Sequence, residues 1–150
     1  MAAILIIDDD VSVRDALVVI LSSNRYDALV ASDGPTGLRL FRQVRFDAVV
    51  VDIFMPEMDG LATIRAMRLQ SPQIPIIAMS GHSVTNGSHP DFLKMAVKLG
   101  ATQALQKPFT ADELFAALAL CLDGGDHCLP GKDLTRPEFA VEADLLRRAV

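Results

Sequence analysis

Three acidic groups, a hydroxyl and an ammonium stand where apolar runs of this chain stop. Asp8 and Asp9 follow Ile4-Leu5-Ile6-Ile7, Asp52 follows three valines, Ser80 follows "IIAM", and Lys107 comes just after the short run Thr102 to Leu105. Carboxylates gathered in one place repel each other, and desolvation adds to the cost of keeping them charged. A hard cation among them offsets both effects. Mg2+ takes oxygen ligands in octahedral geometry and usually keeps several waters, so two carboxylates and a backbone carbonyl suit it. A metal there draws a phosphoryl donor by bridging its oxygens and spreading the developing charge. Lys107 offers a compact positive charge to a phosphoryl oxygen, and Ser80 offers a hydroxyl donor. Asp52 is then the candidate nucleophile, forming an acyl phosphate.

These groups meet only if the chain brings its strand ends together, and the apolar pattern predicts that it does. Ile4 to Ile7, Asp27 to Ala31, Ala48 to Val51, Ile74 to Met79 and Thr102 to Leu105 read as strands. Helical periodicity fills the intervals over Val13 to Leu21, the segment after "DGPTG", Leu61 to Leu69, Asp91 to Leu99, and from Thr110 to about Leu122. Ser12 with Asp15 and Thr110 with Glu113 have capping-box spacing, and Gly100 is placed to end the fourth helix. Continuous apolar strands alternating with helices imply an α/β doubly wound parallel sheet, covered on both faces. In such sheets the site lies at the carboxyl ends of the strands, where the five groups fall. Pro56 to Gly60 turns the chain away after Asp52, with Gly60 expected to supply a positive φ before the third helix.

Composition narrows the function classes. A length of 150 residues fits one domain with a short appendage, and 51% hydrophobic residues with no Trp suit an aliphatic core. A formal charge of -5 disfavours non-specific nucleic-acid binding. The N-terminal apolar run is too short for a signal peptide or a membrane helix, so no membrane association and a cytoplasmic location are expected. Cys121 and Cys128, with His82, His89 and His127, lack CxxC or HxxxH spacing, which argues against a zinc site. Residues 1–122 form the expected domain. Residues 123–150 hold glycines and prolines, then a helical stretch from about Pro137, with four basic and six acidic residues; they read as a linker and a helical tail too acidic for a DNA-binding module.

"ILIIDDD", "DIFMPEMDG", "IIAMSG" and "LQKPF", in that order and spacing, resemble the receiver domain of two-component response regulators, and the resemblance covers residues 3 to 122. It implies a flavodoxin-like strand order 2-1-3-4-5 and a signalling switch, not an enzyme with a separate substrate. On the matching positions, Asp52 is the phosphoacceptor, Asp9 the direct metal ligand and Asp8 the acidic partner acting through water. Phe54 supplies a backbone carbonyl to Mg2+, Ser80 is the switch hydroxyl and Lys107 the phosphate-sensing lysine, aimed into the site by a cis bond to Pro108. The implied partner is a sensor histidine kinase or a histidine phosphotransfer protein, and output is a switched protein-binding face around the fourth helix, fifth strand and fifth helix. Two departures stand out. The family's aromatic residue three positions before the lysine is Ala104 here, and the stretch from Ser80 to Asp91 is longer than is common. With no DNA-binding module, the resemblance suggests a stand-alone regulator.

Two other functions fit part of the pattern. "IIDDDVS" is similar to the nucleophile motif of haloacid-dehalogenase-type phosphatases, with Asp8 as nucleophile and Asp10 as acid/base. That leaves "DIFMPEMDG" unused, and the late acidic pair it wants, Asp112-Glu113, is explained by helix capping. A pseudo-receiver that only binds partners would tolerate Ala104, but has no need of all five polar groups. Simpler roles suffice elsewhere: a helix cap for Asp10, a turn for Asp59, core or turn filling for Met55, Met58, Met67, Met79 and Met95, and an exposed helix for Arg39, Arg42 and Arg45.

Overall fold

The computed structural model describes residues 2–55, 60–81 and 92–122. Strands β1 (Ala3–Ile7), β2 (Asp27–Ala31), β3 (Ala48–Asp52), β4 (Ile76–Gly81) and β5 (Gln103–Lys107) alternate with helices α1 (Val11–Ser23), α2 (Gly34–Gln43), α3 (Gly60–Gln70), α4 (Phe92–Leu99) and α5 (Ala111–Leu122). All strand pairs are parallel and the order is β2-β1-β3-β4-β5. The expected doubly wound sheet and its strand order are both present.

The side-chain period of two divides the core between the faces. Leu5, Ile7, Val49, Val51, Ile76 and Ala78 point to one face with Leu38, Ile64, Met67 and Ala96 from α2, α3 and α4. Ile4, Ile6, Val50, Ile77 and Met79 point to the other, against Leu17 and Leu21 of α1 and Leu114 and Leu118 of α5. Ile4 to Ile7 are fully buried. Each such side chain contributes roughly 1.5–3 kcal/mol by leaving water, which is why the central strands can be apolar on both faces. Every residue of β3 is buried, including the terminal Asp52. β5, at the sheet edge, is half-exposed and, with α5, lines an open groove of about 570 Å³.

Several local expectations change. Of the two capping readings for α1, the Asp10 cap holds and the Ser12/Asp15 box is not used: the Asp10 carboxylate accepts from the Ser12 N–H, so the helix starts two residues before the periodic apolar residues. The Thr110/Glu113 box is formed in both directions, at 3.1 and 2.9 Å. Strands β4 and β5 run further toward their carboxyl ends than the apolar residues alone suggest, carrying Ser80 and Lys107 into the sheet. Gly60 is helical, and among the described glycines only Gly100 has a positive φ, 124°. Gly60 is needed for a different reason. A Cβ there would collide with the Asp52 carbonyl oxygen and the Ile53 Cα, so α3 starts directly against the end of β3. Met55, Met67 and Met79 are buried as expected, whereas Met95 lies exposed on α4. Arg39, Arg42 and Arg45 are exposed, and Cys121 is half-buried. The three histidines, Cys128, Met58, Asp59, most of the long segment after Ser80 and the 123–150 tail lie outside the described residues.

Candidate functional site

The carboxyl edge of the sheet collects the predicted groups. Asp8 leaves β1 with its backbone N–H donating to Ala31 O of β2 at 3.2 Å, and its side chain is fully buried. Its Oδ1 accepts from the Asp10 N–H at 2.9 Å, which closes the turn into α1. Its Oδ2 accepts from Lys107 Nζ at 2.7 Å. Asp52 ends β3, where the next N–H, of Ile53, donates to Met79 O of β4 at 2.9 Å. Asp52 Oδ1 accepts from the Phe54 N–H at 3.2 Å, and Oδ2 lies 3.6 Å from Lys107 Nζ. Asp9 is exposed. One carboxylate oxygen from each of Asp8, Asp9 and Asp52 lies within 4.8 Å of the other two.

Electrostatically the cluster is short of positive charge. Burial pushes the Asp52 carboxyl up from 3.8 to about 6, the Asp8 charge pushes the same way, and Lys107 pulls it back. A buried carboxylate held this far up is one that a cation would stabilise. Oxygen donors of this kind and spacing fit a hard divalent ion, with the Phe54 main chain next to the Asp52 carboxylate. Ser80, the penultimate residue of the neighbouring strand β4, is buried and in register with Gln106, one residue before the Gly81–Lys107 pair. The structure therefore gathers Asp8, Asp9, Asp52 and Lys107 into direct proximity and sets Ser80 and the Phe54 backbone at the same edge. The Lys107-Pro108 bond is cis. Ala104 lies in β5 opposite Ala78 and lines the β5–α5 groove.

Sequence reasoning missed two contributors. Arg14, one turn into α1, donates from Nη1 to the Asp8 carbonyl at 2.7 Å. No short motif links positions six apart across a turn, so only the folded turn reveals it. The close approach of Gly60 to Asp52 O was hidden for a similar reason, since a glycine after an Asp reads first as a turn. Asp10 accepts from the Ser12 N–H as the N-cap of α1, the simpler role the sequence suggests for it.

A family model described as the response regulator receiver domain matches residues 4–119. Among curated relatives, response regulator MprA of Mycobacterium bovis (strain BCG / Pasteur 1173P2) is 32% identical over 144 residues, covering 96% of this chain and 56% of the relative. MprA of Mycobacterium sp. (strain KMS) is 35% identical over 119 residues, 79% of this chain and 50% of its own length. The chain thus spans about half the length of the curated relatives it matches. A receiver domain protein of Clostridium thermocellum superposes with a TM-score of 0.75 at 29% identity, over 83% of this chain and 96% of that one. Vibrio cholerae chemotaxis protein CheY4 gives 0.73 at 31% identity, over 81% and 99%. With the motifs, the strand order and the acidic edge all in agreement, this chain belongs to the response regulator receiver domain family of two-component signalling.

Proposed function

We propose that this chain accepts a phosphoryl group on Asp52 from a sensor histidine kinase or a histidine phosphotransfer protein, and that the modified domain switches a protein-binding face. The observation that carries this is the meeting of buried Asp52 with Asp8, Asp9 and Lys107 at the carboxyl edge of the sheet. An oxygen of the ionised Asp52 carboxylate attacks phosphorus, the P–N bond of the donor phosphohistidine breaks, and the leaving imidazole nitrogen keeps the electron pair and takes up a proton. The product is an acyl phosphate. With its carboxyl at about 6, Asp52 is largely ionised at pH 7, as attack requires.

A Mg2+ held by Asp8, Asp9, Asp52 and the Phe54 carbonyl supplies charge neutralisation for the phosphoryl oxygens. Lys107, already within 3.6 Å of Asp52 Oδ2, is placed to turn from the carboxylates to a phosphoryl oxygen, and the Ser80 hydroxyl to donate to another. Moving these two groups pulls on the ends of β4 and β5, which carry α4 and α5 with them. Ala104 leaves no aromatic side chain to report that movement, so the readout falls on the backbone of β5 and the groove it shares with α5.

The test is intact mass after incubation with a small-molecule phosphodonor and Mg2+, followed by location of the label. Label on Asp52 that disappears with chelator and in Asp52→Asn supports the proposal. Label on Asp8 would make the chain phosphatase-like. No label, even with a cognate kinase supplied, would leave a partner-binding pseudo-receiver.

A further inference from the structure

We infer that Arg14 is a positioning residue for the acidic site: by holding the Asp8 carbonyl it sets the β1–α1 turn so that Asp8 and Asp9 face Asp52 and bind a divalent cation. The inference rests on the metal site proposed above. Two adjacent carboxylates at one turn, Asp8 buried and Asp9 exposed, lower their energy by moving apart, so something must oppose that. At its far end the turn is fixed by Asp10, whose Oδ1 accepts from the Ser12 N–H at 2.8 Å and whose carbonyl accepts from the Arg14 N–H at 3.1 Å. At its near end Asp8 has two side-chain partners beyond the turn, Lys107 on its carboxylate and Arg14 on its carbonyl, each at 2.7 Å.

These two partners respond differently to a cation. A divalent ion among the carboxylates repels the Lys107 ammonium and competes for the same oxygens, so that ion pair weakens as the site fills. Arg14 bonds to a main-chain carbonyl, which a carboxylate-bound cation leaves free. A charge-assisted bond to a partly buried carbonyl is strong enough to hold a turn. The Asp8-Asp9 peptide, whose carbonyl Arg14 grips, is the one that decides where Asp9 points.

Charge and position make opposite predictions for this residue. Removing a cation beside an acidic site should, by field alone, tighten Mg2+ binding. Loss of a positioning bond should weaken it. Mg2+ is titrated into the full chain and the amide NMR shifts of Asp9 and Asp10 are followed, a readout that needs no phosphorylation. Arg14→Met, which keeps the apolar stem, is expected to bind roughly tenfold more weakly, the low end for loss of a supporting contact at a metal site. Arg14→Lys, with the charge but a single donor nitrogen on a different stem, should fall between it and the wild type. Affinity unchanged or tightened in Arg14→Met overturns the inference, even if that variant melts earlier. Should Arg14→Met not fold, Arg14→Lys decides alone, weaker binding supporting the inference and unchanged binding overturning it. A wild type that binds no Mg2+ would instead bring down the metal-site reading itself, and this inference with it.

Discussion

The two ends of the sheet handle buried charge in opposite ways. At the carboxyl edge, three carboxylates face one ammonium, and Asp52 sits so uncomfortably that its carboxyl is pushed up to about 6. At the amino edge, one guanidinium faces only carbonyls. Arg68 of α3 donates from Nε and Nη2 to Gly100 O at 3.1 and 2.6 Å, and from Nη1 to Ser71 O and Pro72 O at 3.3 and 2.8 Å. It ties the end of α3 to the turn between α4 and β5, and satisfies carbonyls just past the ends of both helices. One end is closed and stabilising. The other is left unbalanced, and an unbalanced cluster is one that a cation or a phosphoryl group can change. Four substitutions separate the two ends.

The largest effect is expected where backbone meets backbone. Gly60→Ala forces a Cβ onto the Asp52 carbonyl and the Ile53 Cα, neither of which can rotate away. Overpacking of this kind costs about 3 kcal/mol or more. Chemical denaturation should show that loss, and a stability within about 1 kcal/mol of wild type would mean the start of α3 is not pinned to β3 as described.

Next is Asp52→Asn, which should stabilise the metal-free protein. A carboxyl raised from 3.8 to about 6 binds protons more tightly folded than unfolded. Below about pH 4 both states are protonated and the group contributes nothing. Between about pH 4 and 6 the unfolded chain releases its proton first, so stability falls as pH rises, and above about 6 the full cost is present. At about 1.4 kcal/mol per decade the cost is about 3 kcal/mol, and Asn should recover 2–3 of it near neutral pH. Urea titrations at pH 4 and 7 check this. The gain should appear at pH 7, vanish near pH 4, and shrink when Mg2+ is added to the wild type. A gain independent of pH would show that packing, not charge, is responsible.

What the sequence disclosed follows the same divide. Strand ends that carry Asp8, Asp52, Ser80 and Lys107 were legible because burial on both faces demands apolar runs, and a charge that stops such a run stands out. The strand order came through the motifs, since apolar pattern alone does not say which strands are neighbours. The amino edge was nearly silent. Arg68 reads as an ordinary helix arginine until Gly100, far along the chain, is folded against it. Arg14 was equally quiet at the carboxyl edge, and Gly60 was legible as a necessary glycine but not for the right reason. Contacts between a side chain and a distant main-chain carbonyl leave no residue-type signature on the carbonyl side.

At the amino edge, Arg68→Ala removes the guanidinium from three carbonyls and should cost about 2 kcal/mol, the range for charge-assisted hydrogen bonds. Those acceptors do not titrate between pH 4 and 7, so the loss should be nearly the same at both. A pH dependence like that of Asp52→Asn would mean the two ends are coupled through the sheet and do not act separately.

The smallest effect sharpens that last point. Gly100→Ala is opposed twice, because φ is 124° and because a Cβ would lie 2.9 Å from Arg68 Nε and 3.0 Å from Arg68 Cγ. A left-handed conformation imposed on Ala costs about 1–2 kcal/mol, while a long side chain in the way can shift by a few tenths of an ångström at the expense of its hydrogen bonds. In the Arg68→Ala background the second penalty disappears and the first remains. The double variant should therefore be less damaged than the two single losses predict, by about 0.5–1 kcal/mol. Additive losses would mean that Arg68 and Gly100 meet only as donor and acceptor, with room between them. A discrepancy confined to this pair, absent when either variant is combined with Asp52→Asn, would show that the satisfied end and the unbalanced end of the sheet are energetically independent.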